Sequence, residues 1–286
     1  MQWSSGNQGD IEDARGRSGG FGIAHLGIGG FLVLLVLSWV SGTNLFSLLG
    51  TGTPAPQSQT VGTGGKVTSS PAEDREKDMV GAVAKDAQDM WSELLGSRYQ
   101  RTKVTLFRDS IQSACGFAQS ATGPFYCPED ERVYLDLGFF NELARKLGAP
   151  GDFAQAYVIT HELGHHVQNL LGLNARASGD HRTGASSASV ALELQADCFA
   201  GVWGHAASQP GRAAAGKVEL DPGDMEEALR AAAAIGDDRL QKMATGQVMP
   251  DRFTHGSSAQ RVEWFRKGMD SGDPRSCGVG VASTTR

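Results

Sequence analysis

The stretch THELGHHVQNLLG, residues 160 to 172, gathers three histidines and one glutamate into six consecutive positions of a chain with seven histidines in all. The longer run DFAQAYVITHELGHHVQNLLG, Asp152 to Gly172, reads as one helix, with Asp152 as its N-cap and Gly172 as its C-cap. On a helix His161 and His165 leave one face a single turn apart and can converge on one ion, while Glu162 stands about 100° further round. This is the H-E-x-x-H arrangement, in which two imidazoles hold zinc and the glutamate, not itself a ligand, handles the proton of an attacking water.

A catalytic zinc takes three protein ligands and keeps a fourth position open. A glycine three residues after the second histidine, with a further histidine three beyond, would supply the third, but Gln168 and Leu171 stand there. The better candidate lies in ALELQADCFAGVWGH, residues 191 to 205, where Glu193 and Asp197 sit four apart on another helix. Glu193 can complete the site, and Asp197 on the same face can accept from the outer nitrogen of a ligand histidine. His205, Asp180 and His181 are rivals for the third ligand. His166 points elsewhere and reads as a hydrogen-bonded structural histidine.

Around this centre the chain reads as α+β, mainly helical. Apolar residues from Met79 to Leu95 mark one face of a helix spanning Glu73 to Leu95, and KVTLF (residues 103 to 107) and RVYLDL (132 to 137) read as strands. Further helices are expected at about 139–147, 188–207, 222–235 and 258–269. The order is one helix, a few strands, then mostly helices.

The beginning of the chain differs in composition. Residues 1–20 are a polar tail, FGIAHLGIGGFLVLLVLSWV (21–40) has the length of a transmembrane anchor, and 41–72 is a Gly/Ser/Thr/Pro-rich tether to a domain at 73–286. Acidic residues before the apolar run and the lack of a small-x-small site argue against a cleaved signal. Arg15 and Arg17 orient the N-terminus to the cytoplasm, which places the domain outside the cell membrane. Net charge of -6 without a basic run leaves nucleic acid an unsuitable partner. Four cysteines beyond an anchor read as two disulfides, Cys115 with Cys127 across a short loop and Cys198 with Cys277 by subtraction; four free thiols are the alternative.

HELGH followed by ELQAD resembles the gluzincin peptidases, and THELGHHVQN with ELQADCFAGVWGH is similar to the bacterial neutral zinc metallopeptidases anchored by one N-terminal helix. The resemblance runs from about Glu73 onward. It implies a zincin-like domain with a small β-sheet, one Zn2+ per chain on His161, His165 and Glu193, and Glu162 as general base acting on a peptide or protein substrate. DRFTHGSSAQRVEWFRKG, residues 251 to 268, resembles the late helix of prenyl-protein-processing gluzincins, which implies that His255 and Arg261 hold the substrate carbonyl and its oxyanion. A proline often follows that histidine in those relatives; here Gly256 does. The resemblance also suggests that Arg132 to Leu137 is an edge strand able to pair with extended substrate, a plain structural strand being the alternative. The rival reading is a membrane-tethered binding or assembly module with a non-catalytic zinc.

Overall fold

The computed structural model describes residues 1–16, 67–177 and 182–279. Helix α1 (Pro71–Leu95) starts two residues before the sequence-based boundary because SSPAE supplies a full start signal. Ser70 Oγ accepts from the Glu73 N–H at 3.2 Å, Glu73 accepts from the Ser70 N–H, and Pro71 needs no donor. Its apolar stripe, including Val80, Val83, Ala87 and Trp91, is buried.

Strands β1 (Ile11–Asp13), β2 (Val104–Phe107), β5 (Phe125–Cys127) and β6 (Arg132–Asp136) form one sheet in the order β1-β2-β6-β5. The first three in that order run parallel, with Ile11 opposite Val104 and Val104 opposite Val133, and β5 runs antiparallel. The remaining strands, β3 (Ser110–Ser113) and β4 (Gly116–Gln119), make a separate hairpin. RVYLD is therefore an internal strand, with its hydrogen-bonding groups used on both sides, and not the edge strand expected. Its buried VYLD residues fit that central place.

The strand at the opposite edge corrects the topology more deeply. Residues 1–16 are not a free tail: β1 pairs with β2, and Arg15, buried, donates from Nε to Asp13 at 2.9 Å and from Nη1 to Glu73 at 3.2 Å. Two strands of one sheet lie on the same side of any bilayer, whereas a single crossing between residues 13 and 104 would put them on opposite sides. The single-pass arrangement, N-terminus cytoplasmic and domain extracytoplasmic, is incompatible with this sheet. Among the described residues no helix is long and apolar enough to cross a membrane. The expected anchor, 21–40, and the tether up to residue 66 lie outside the described residues.

Helices α2 (Gly138–Arg145), α3 (Asp152–Leu170), α4 (Leu173–Ala177), α5 (Ala188–Ala207), α6 (Asp224–Ala234), α7 (Asp237–Thr245) and α8 (Ser258–Ser271) complete the described fold. The α3 N-cap is Gly151, one residue before the position expected, and the Phe153 N–H is satisfied by Glu227 of α6 at 3.1 Å. Helix α7 was not legible as a separate element. One core joins the sheet, α1, α3, α5 and α6, with Phe153 tilted against Trp203 at a centroid distance of 5.8 Å and edge-to-face with Phe265 at 6.4 Å.

Small residues let the helices that carry the site approach closely. A Cβ on Gly268 of α8 would lie 1.9 Å from the Cys198 carbonyl oxygen of α5, so only glycine fits that crossing. A Cβ on Gly164, within HELGH, would lie 3.1 Å from the Ala196 oxygen. The glycine between the two motif histidines thus sets the spacing of α3 against α5, and with it the distance from the histidines to Glu193.

Candidate metal centre

His161 and His165 do share one face of α3, with their Nε2 atoms 3.2 Å apart. Glu193, reaching across from α5, places Oε2 3.3 Å from His161 Nε2 and Oε1 3.5 Å from His165 Nε2. Two ligand atoms on a tetrahedral zinc at about 2.05 Å are separated by about 3.3 Å. The histidine pair holds that spacing, Glu193 comes near it with a different oxygen toward each histidine, and one ligand atom from each of the three residues lies within 4.8 Å of the others.

Their outer atoms say which face of each imidazole is bare. His161 Nδ1 donates to Asp197 Oδ1 at 2.8 Å, and His165 Nδ1 donates to Gln168 Oε1 at 2.9 Å. With both Nδ1 atoms protonated, the two neutral Nε2 atoms turn lone pairs toward each other and toward a carboxylate. That is repulsive unless a cation sits between them, so the donor set fits zinc. The same surroundings favour a positive charge at this point: burial disfavours a charged His161, yet the Asp197 charge and the hydrogen bonds of Asp197 and Glu193 outweigh it and push its pKa up to about 10, so a proton on Nε2 and a metal ion compete for one place. Glu193 is held well below the usual carboxylate range, since the nearby histidines overcome its burial. Among the described residues this is the group of His, Cys, Asp or Glu side chains close enough to hold a metal, and it has three members.

Asp197, fully buried, organises the rear of the centre. Besides His161 it accepts from Tyr157 OH at 2.6 Å and from Arg261 Nε and Nη2 at 3.0 and 2.9 Å. Arg261 is itself 2% exposed and also donates to Tyr157 OH at 3.1 Å. Nε and Nη2 face Asp197 and Tyr157, and through them Arg261 neutralises the carboxylate that orients His161.

His255 does stand where a substrate could meet it. Its side chain is 51% exposed, and its charge is felt by Glu193. The loop carrying it is tied to one carboxylate, since Asp237 Oδ2 accepts from the backbone N–H groups of Thr254, His255 and Gly256 at 2.7, 2.7 and 3.0 Å. Desolvation opposes charging His255, but the hydrogen bond to Asp237 and the charges of Glu193 and Asp237 raise its pKa. Asp237 was missed in the sequence; the signal was Gly236-Asp237-Asp238, an acidic helix start that marks α7.

Glu162, buried at 8% exposure, follows His161 directly on α3. His166 is structural: Nε2 donates to the Gln100 carbonyl at 2.7 Å and Nδ1 accepts from Tyr126 OH at 3.1 Å. His205 donates to the Met269 carbonyl at 2.8 Å and is no ligand, while Asp180 and His181 lie outside the described residues. The cysteines form two bonds, Cys115–Cys127 and Cys198–Cys277, so none is available to a metal.

An H-E-x-x-H helix facing a glutamate from a second helix, on a mainly helical domain with a small sheet, is compatible with a zincin-like domain. Residues 1–279 match the family described as "Putative neutral zinc metallopeptidase", and the chain belongs to that family. Among curated relatives it is 44% identical to the uncharacterized protein YpfJ of Escherichia coli K12, over 97% of this chain and 98% of that protein. It is 45% identical to the uncharacterized protein Rv2575 of Mycobacterium tuberculosis H37Rv, over 68% of each. No solved structure matches the chain.

Proposed function

We propose that the chain is a zinc-dependent endopeptidase whose metal is held by His161, His165 and Glu193. The observation that carries this reading is the convergence of three lone-pair donors near zinc spacing beside a glutamate that the metal does not need. A structural zinc is normally closed by four ligands rich in cysteine, and here every cysteine is paired. Zinc, when bound, supplies Lewis acidity that lowers the pKa of water toward about 7 and polarises the scissile carbonyl.

The chain's own residues do the rest. Glu162 accepts the proton of the attacking water on one carboxylate oxygen and delivers it to the departing amine. His255, whose charged form Asp237 and Glu193 favour against its burial, donates from its ring toward the oxyanion as the carbonyl becomes tetrahedral. Asp197 keeps His161 in the Nδ1–H tautomer, and Arg261 keeps Asp197 ionised. Extended substrate pairs along β5, the antiparallel strand at the sheet edge next to α3, whose Tyr126 hydroxyl contacts His166.

The test is hydrolysis of an unstructured protein by the purified full-length chain loaded with one zinc. Cleavage should stop on chelation and return when zinc is restored. A chain that holds stoichiometric zinc yet cuts nothing across a broad peptide library would favour a binding module instead.

A further inference from the structure

The two histidines are oriented by unlike partners. His161 faces a carboxylate, which can only accept, so its Nδ1 must carry the proton. His165 faces Gln168, a primary amide that could present either its oxygen or its NH2 group, and the choice decides which ring nitrogen of His165 is bare. If the NH2 group faced the ring, Nδ1 would have to accept and Nε2 would carry the proton, which blocks it as a ligand.

A chain of acceptors removes the ambiguity. Gln168 Nε2 donates to the Leu192 carbonyl at 2.6 Å and to Gln195 Oε1 at 3.1 Å. Gln195 Nε2 in turn donates to the Cys277 carbonyl at 2.9 Å. Backbone carbonyls only accept, so Cys277 fixes the Gln195 amide, Leu192 and Gln195 fix the Gln168 amide, and Gln168 fixes the proton on His165 Nδ1. Gln168 has no exposure to solvent, so water cannot replace a lost partner there without rearrangement. Cys277 is bonded to Cys198, the residue after Asp197, so the same covalent link adjoins the supports of both histidines.

Granted the metal centre proposed above, we propose that Gln168 and Gln195 are positioning residues: a two-amide relay through which the disulfide-held Cys277 carbonyl sets the tautomer of His165 and so the affinity for zinc. A leucine would fill the place of Gln168 with a similar volume and cost less to bury, so packing alone does not call for an amide. A glutamate would fail too, because it has no donor for the Leu192 carbonyl.

The test uses the full-length chain, wild type, Gln168→Leu and Gln195→Met, with zinc affinity measured by competition with a chelator. Gln168→Leu should weaken binding about 10- to 100-fold, the range for loss of such a support, and Gln195→Met should weaken it less, in the same direction. In long-range 1H–15N spectra of the zinc-loaded protein, the His165 Nδ1–H should exchange with water faster in both variants than in the wild type. If Gln168→Leu does not fold, Gln195→Met decides alone. Wild-type affinity together with an unchanged Nδ1–H signal in folded Gln195→Met overturns the relay, even if its melting temperature falls. Failure of the wild type to bind zinc overturns the metal centre itself and the relay with it.

Discussion

Arg261 and Asp197 form a buried bidentate pair behind the metal-facing imidazoles, with Arg261 Nε and Nη2 at 3.0 and 2.9 Å from the carboxylate oxygens. Both side chains are cut off from water, so each needs the other's charge. Burial raises the Asp197 pKa, but the charge of Arg261 and the hydrogen bonds from His161 and Arg261 outweigh it and hold the carboxyl below its usual value. Removing the cation alone, as in Arg261→Met, leaves a buried carboxylate with weaker compensation. Such a break costs about 3 to 5 kcal/mol, so this variant should show a large loss in denaturant unfolding as well as weaker zinc binding. If Arg261 instead met substrate, Arg261→Met would keep wild-type stability and lose turnover only.

His255 should behave in the opposite way. It is half exposed and supports no core, so His255→Ala should unfold like the wild type while kcat falls about 10²- to 10³-fold, the cost of losing one oxyanion donor. Asp237→Ala should carry part of that loss at a distance, because the three N–H groups that shape the His255 loop lose their acceptor. A normal kcat in both variants would remove His255 from the mechanism.

Gly164→Ala tests the role of helix spacing. The added methyl would press on the Ala196 backbone at 3.1 to 3.2 Å, tighter than ordinary contact, and α5 would have to give by a few tenths of an ångström. Overpacking of this kind costs about 1 to 3 kcal/mol. Because Glu193 rides on α5, zinc affinity should fall along with stability; chelator competition and thermal unfolding on one sample measure both.

The attachment of residues 1–16 to the sheet should depend on pH. Hydrogen bonds from Arg15 and Lys77 hold the Asp13 carboxyl below its ordinary value of 3.8 against the opposing effect of burial. A group whose folded pKa is depressed stabilises the fold above its unfolded value and loses that contribution as pH falls through and below it. Amide exchange across Ile11–Asp13 should therefore be slow at neutral pH and accelerate below about pH 4, relative to β2 and β6. Equal exchange of the three strands at pH 3 would contradict this.

The parts of the protein legible in its sequence are those set by local spacing. His161, His165, Glu193 and Asp197 each lie four residues from a partner on a helix, and the helical faces around them repeat with the same period. What could not be read depends on contacts across the chain. IED at residues 11–13 carries no strand signal of its own and becomes β1 only beside β2, some ninety residues later. RVYLD has the same composition at an edge or inside a sheet. The resemblance implies that His255 and Arg261 lie at the site, but not that Arg261 turns Nε and Nη2 to the buried Asp197. Asp237 acts through backbone donors, which any sequence supplies, so nothing marks its partners in advance.

The central claim is that Glu162 does chemistry at a zinc held by other residues. The most direct measurement is zinc content and peptide cleavage for Glu162→Gln against the wild type, made on the same preparations. The account predicts one zinc per chain in both proteins and cleavage reduced at least 100-fold in the variant, the lower range for loss of a general base being about 10². A Glu162→Gln chain that keeps its zinc and cleaves at the wild-type rate would contradict it.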